Sequence, residues 1–175
     1  MVSATLVAQA VTVNRTGDAV TVRAPGFTFI KGEPLARLRD GRSVRVELAL
    51  AVLSKSGANS SVTQNRQTFV LSYDLWEERF AVTQVVKPAR SAAYLTTAAA
   101  EAWCLEQVTV SANALGTLGK DLPFWIRLEY KILDVEPAPA ADDAYTLQGL
   151  IDVMSRRRKA KEWTHATEAG PFYLK

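Results

Sequence analysis

The stretch Phe69–Val82, FVLSYDLWEERFAV, decides how the whole chain is read. Phe69, Leu71, Tyr73 and Leu75 alternate with Val70, Ser72 and Asp74. Glu77, Glu78 and Arg79 then break the beat, and Phe80 and Val82 resume it. A period of two is that of a β-strand, and a polar break between two such runs predicts a hairpin. The alternation sends Phe69, Leu71, Tyr73 and Leu75 toward a core and puts Asp74 and Trp76 on the opposite face. Tyr73 and Phe80 are expected to pack together beside the turn and help set its register. A large aromatic on the outward face, such as Trp76, is either covered or presented to a partner. We expect a C-terminal helix to cover it.

Upstream, Ser43–Leu53 repeats the pattern, with Val44, Val46, Leu48, Leu50 and Val52 on one face. Arg45, Glu47, Ala49 and Ala51 form the other face, and the two alanines predict that part of it is covered too. Leu6–Asn14 and Ala19–Ala24, joined by the turn cluster NRTGD, are expected to make an antiparallel pair. Phe27–Ile30 is read as a short extension. Lys31–Gly41 is read as a loop with a helical turn at Pro34–Leu38, because Glu33 precedes a proline and is biased away from helical geometry. Ser54–Asn65, SKSGANSSVTQN, is a polar connection. No Gly-Lys-Ser/Thr follows its Gly57, so it is not a phosphate loop.

Downstream the period changes. Thr97–Gln107, TAAAEAWCLEQ, is Ala-rich and predicts a short helix, with Thr97 as cap and Ala98, Ala102 and Leu105 at helical spacing. Trp103 and Cys104 read as core residues, with no basic neighbour in sequence to activate the thiol. Val108–Ser111 is a short strand and Ala112–Leu122 an irregular link. Phe124, Ile126, Leu128, Tyr130 and Ile132 then oppose Arg127, Glu129 and Lys131, a strand with one face on a core and one in water. Asp134–Asp143 is a proline-bearing linker. Tyr145–Trp163 predicts an amphipathic helix, with Leu147, Leu150, Ile151 and Met154 on one stripe. Gly170–Leu174 is an apolar tail. The predicted fold is mainly β: an antiparallel β-sandwich with one short helix after the central hairpin and a C-terminal amphipathic helix. Residues 1–140 make the sandwich, and residues 141–175, helix and tail, pack on the same domain.

A chain of 175 residues can bury a proper core as one domain. A net charge of +3 is too mild to imply a polyanionic partner by itself. No apolar run reaches the roughly 18 residues of a membrane-spanning helix. The single cysteine excludes an intrachain disulfide and a cysteine-based metal cluster. Ala8-Gln9-Ala10 has the A-x-A form of an export cleavage site but fits the start of a strand better. A chain that begins after a removed export signal has the same appearance.

The order of segments resembles a bacterial domain-of-unknown-function family of exported, β-rich envelope proteins. The resemblance spans residues 6–134. It rests on PLARLRDGRSVRVELAL at Pro34–Leu50, on Leu71-Ser72-Tyr73 with Phe80 seven residues after the tyrosine, on the helix near Ala98–Leu105, and on the strand Trp125–Leu133. It implies a β-sandwich-like body in an extracytoplasmic setting, the periplasm or cell envelope, and brings no catalytic residue. The proline linker, the basic helix and the Gly-Pro-Phe tail depart from the family pattern.

Chemistry-bearing residues are sparse. His165 is the only histidine and lies in a polar segment, and a catalytic triad or zinc site would have to be built around it without supporting spacing. Glu77 and Glu78 are adjacent and expected to be solvated. No G-x-S-x-G, CxxC or dinucleotide loop is present. We therefore expect no catalytic residue, cofactor or metal. The sharpest binding candidates are Trp76 and the cluster SRRRKAK, in which Arg156, Arg157, Arg158, Lys159 and Lys161 crowd a predicted helix end. Cations there suit the helix dipole and can also meet anionic headgroups or phosphates. The expected function is a non-catalytic binding or interaction module of the bacterial cell envelope, with another envelope protein or the membrane surface as partner rather than nucleic acid. The alternatives are a hydrolase with a site between the sheet and the 54–65 loop, and a basic-helix module for anionic lipid or nucleic acid.

Overall fold

The computed structural model describes residues 11–116, 122–134 and 162–173. Alternation becomes structure where it was strongest. Strands β3 (Val44–Leu53), β4 (Thr63–Asp74), β5 (Arg79–Gln84) and β8 (Phe124–Asp134) form the body of a six-stranded antiparallel sheet. Its order is β6-β5-β4-β3-β8-β9, with β6 at Arg90–Leu95 and β9 at Glu162–Phe172 on the edges. A second antiparallel sheet joins β1 (Thr12–Thr16), β2 (Ala19–Arg23) and the two-residue β7 (Val110–Ser111). Among the described residues three helices accompany them: α1 (Gly32–Arg39), α2 (Thr97–Glu106) and α3 (Ala112–Leu115). The protein is mainly β, as the sequence predicts.

The inner face of the large sheet carries Val44, Val46, Leu48, Leu50, Val52, Phe69, Leu71, Phe80, Val82, Ile126 and Leu128, all buried. Val20, Val22 and Val110 of the small sheet, Leu38 of α1, Ala100 and Cys104 of α2, and Leu115 of α3 close the same core. Each such aliphatic or aromatic side chain contributes roughly 1.5–3 kcal/mol on full burial. Tyr73 and Phe80 face each other in register with ring centroids 4.8 Å apart, the predicted cross-strand pair. Asp18 ties the small sheet to α3, since its carboxylate accepts from Ser111 Oγ and from the Asn113 N–H.

The loop before β4 folds over the outer face. Ala58 covers Ala51 and Leu53, with Trp125 against them, which accounts for Ala51 on the outward side of β3. Glu168 of β9 pins this loop: its Oε1 accepts from Ser56 Oγ and the Gly57 N–H, both at 2.9 Å, and its Oε2 meets Arg127 at 3.2 Å. Those donors stabilise the charged form and hold the Glu168 carboxyl below its usual range, the Gly57 N–H most of all.

Several expectations are corrected. Glu162 and Trp163 belong to β9 rather than to the end of a helix, so residues 162–172 are an edge of the main sheet itself. The rest of the predicted C-terminal helix lies outside the described residues. Strand β6 was not anticipated, because RSAAYL has no hydrophobic alternation. Phe27–Ile30 is irregular backbone, and α1 is a full helix despite Pro34, which sits in its first turn where a missing N–H does no harm. Thr96, not Thr97, caps α2 by accepting from the Ala99 N–H. Of the predicted spacing Ala98, Ala102 and Leu105 only Leu105 is buried; the buried face of α2 is Ala100, Glu101, Cys104 and Leu105, and Ala98 and Ala102 are exposed.

Candidate functional site

The hairpin that organises the sheet also makes its most exposed apolar corner. Asp74 ends β4, and its Oδ1 accepts from the Trp76 N–H at 2.8 Å and the Glu77 N–H at 3.0 Å. An aspartate that binds the backbone two residues on makes the turn itself. Glu78 closes it in the left-handed region at φ 52°. The Glu77 and Trp76 N–H groups favour the charged carboxylate and lower the Asp74 pKa. Because the chain leaves the sheet at Leu75, the alternation no longer sets its direction. Leu75 is 56% exposed rather than inward, and Trp76 is 95% exposed rather than covered by a helix.

A second aromatic stands at the same end of the sheet. Phe80 pairs with Leu95 and Val82 with Ala92, so Ala93 and Tyr94 together oppose Ala81 in a β-bulge on the edge strand. Tyr94 adopts φ 59° and is 75% exposed. Phe80 is the second residue after the turn and pairs with Leu95, so register puts Tyr94 toward the end of the sheet that carries Leu75 and Trp76.

The other predicted candidates divide. Arg156, Arg157, Arg158, Lys159 and Lys161 lie outside the described residues. His165 stands on β9 opposite Tyr130, with ring centroids 5.7 Å from Tyr130 and 6.3 Å from Phe27, so its described ring neighbours are aromatic. Glu77 and Glu78 are exposed in the turn. Trp103 packs edge-on against Phe69, and Cys104 is fully buried. Burial first, and the negative charge of Glu101 second, push the Cys104 thiol well above its ordinary value. Among the described residues no group of three His, Cys, Asp or Glu side chains could hold a metal, and no helix is long and apolar enough to cross a membrane.

One feature escaped the sequence. A cleft of about 590 Å³ opens between β2 with its continuation to Thr28 and the outer side of α2. Val22, Pro25, Phe27, Ala98, Ala102 and Leu105 give it apolar walls, so the predicted Ala98–Ala102–Leu105 stripe lines a cavity. Glu101 also lines it and is 6% exposed. Its Oε1 accepts the Phe29 N–H at 2.6 Å and the Ile30 N–H at 2.7 Å, anchoring the irregular segment ahead of α1. Burial outweighs these two hydrogen bonds and a weaker field from Lys31, so the Glu101 carboxyl is raised above its usual value. At the rim Arg23 and Glu106 are 3.6 Å apart. The available signal was Glu101 falling on the same helical arc as Ala100, Cys104 and Leu105, a charged residue inside an apolar stripe.

In comparisons with protein families, curated proteins and solved structures, nothing matches the chain.

Proposed function

We propose that the protein is a non-catalytic interaction module of the bacterial cell envelope, and that it engages another envelope protein through the corner formed by Leu75, Trp76 and Tyr94. The observation that carries this is a tryptophan 95% exposed on a turn held by two backbone hydrogen bonds to Asp74. Tryptophan and tyrosine dominate binding hot spots because they offer large apolar area with few rotors to freeze. A turn fixed before contact lowers the ordering cost further. The adjoining β6 is an edge strand, and its bulge interrupts strand addition, which favours side-chain docking over sheet extension. The envelope setting is supported by the resemblance across residues 6–134 and is proposed on that ground.

The test is to place a photo-crosslinking residue at Tyr94 in the full chain, expressed in a bacterial cell, and to fractionate the adducts. A discrete adduct with an envelope protein is expected, lost on Trp76→Ala while the thermal midpoint stays unchanged. No adduct, an adduct with a cytosolic protein, or one indifferent to Trp76→Ala would sink the proposal. Anionic vesicles provide a control arm: salt-sensitive binding that survives Trp76→Ala would move the contact to the membrane surface and the basic cluster.

A further inference from the structure

We propose that the cleft above Glu101 binds a small organic cation, an ammonium group carried on an apolar body. The site shares no residue with the hairpin corner and does not depend on it. Its volume, about 590 Å³, lies within the roughly 300–1,000 Å³ of small-molecule sites, and its walls are apolar with one deep polar group, the usual composition of such sites.

Charge decides the ligand class. Glu101 lines the cleft and spends Oε1 on the Phe29 and Ile30 N–H groups, and no hydrogen bond to its Oε2 is found among the described residues. A carboxylate set among apolar walls is poorly solvated, and a cation entering the cleft offsets that cost. The charged groups around it agree. Glu106 adds a second negative charge at the rim, where Arg23 is already paired to it. Lys31 acts on Glu101 only through its field, without a hydrogen bond or ion pair among the described residues. Cys104 and Tyr130 feel the Glu101 charge, and burial pushes both of them up, toward their neutral forms. Phe27 in the wall supplies an aromatic surface that favours an ammonium over an anion.

Anchoring and binding can be separated, because glutamine keeps a carbonyl oxygen for the two N–H groups while removing the charge. The probe is phenethylammonium, and 3-phenylpropionate is the anionic control of similar body, each titrated into the full chain and followed by amide NMR. The ammonium is expected to saturate and to shift Val22, Phe27, Ala102 and Leu105, with the carboxylate at least about tenfold weaker. Glu101→Gln should keep the native spectrum and lose about tenfold in ammonium affinity. Ala102→Trp, an exposed position that fills the cleft, should abolish binding, and Trp76→Ala should leave it unchanged. The proposal is overturned by absent saturation, by equal affinity for the two probes, by shifts centred elsewhere, or by binding that survives Ala102→Trp.

Discussion

Asp74 and Glu101 do the same thing in opposite surroundings. Each accepts two backbone N–H groups through one carboxylate oxygen: Asp74 from Trp76 and Glu77, Glu101 from Phe29 and Ile30. Asp74 bonds two and three residues along the chain and is exposed, whereas Glu101 bonds across more than seventy residues and is buried. Their carboxyls move apart accordingly, Asp74 downward because the hydrogen bonds outweigh desolvation, Glu101 upward because desolvation prevails. The hydrogen-bond count is equal, so the solvent makes the difference. It also separates the surroundings of each site: the solvated carboxylate holds the turn that presents Trp76, and the buried one lines an apolar cleft.

The largest effect should come from Glu101→Ala. It strands the Phe29 and Ile30 N–H groups in a buried setting, at about 3 kcal/mol for the pair, read from denaturant unfolding. Glu101→Gln, which keeps the acceptor, should cost less than about 1 kcal/mol. If the two variants fall equally, the charge rather than the anchor holds the segment, and the comparison breaks.

The pH dependence should have opposite signs at the two sites. Glu101 is raised above its ordinary value of 4.5, so the folded state holds its proton more tightly than the unfolded chain. Its contribution is fully present below that ordinary value and declines as pH rises through the folded pKa. The stability of Glu101→Gln relative to the parent should therefore be greatest near neutrality and shrink toward acid. Asp74 is lowered from 3.8, so its contribution is present above that value and disappears as pH falls through the folded pKa. The parent's advantage over Asp74→Asn should accordingly vanish in acid. Parallel slopes in the two series would remove the solvent explanation.

Asp74→Ala should be milder than Glu101→Ala, since water replaces the lost acceptor, and its mark should be faster amide exchange at Trp76 and Glu77. The smallest effect belongs to Trp76→Ala, within about 0.5 kcal/mol of the parent by thermal unfolding, as for other surface substitutions. A clear loss would mean that Trp76 is packed after all.

Much of the body was legible from residues close in sequence. Val44–Val52, Phe69–Leu71 and Phe124–Ile132 alternate because a strand exposes successive side chains to opposite faces, and burying one face leaves that imprint directly. The pairing of Tyr73 with Phe80 followed from the same periodicity and a short turn. What faces a strand from elsewhere in the chain leaves no such imprint. Strand β6 exists because β5 offers it an edge, and β9 because β8 does, so neither RSAAYL nor EWTHATEAGPF had to carry its own pattern. The sequence by itself thus determined the strands that bury one face, and with them the mainly β fold. Only the tertiary structure decided that Trp76 points into water, that Ala51 lies beneath a loop, and that Glu101 sits deep in an apolar cleft. Alternation records which side of a strand is dry, whereas burial at a turn or on a helix depends on partners tens of residues away.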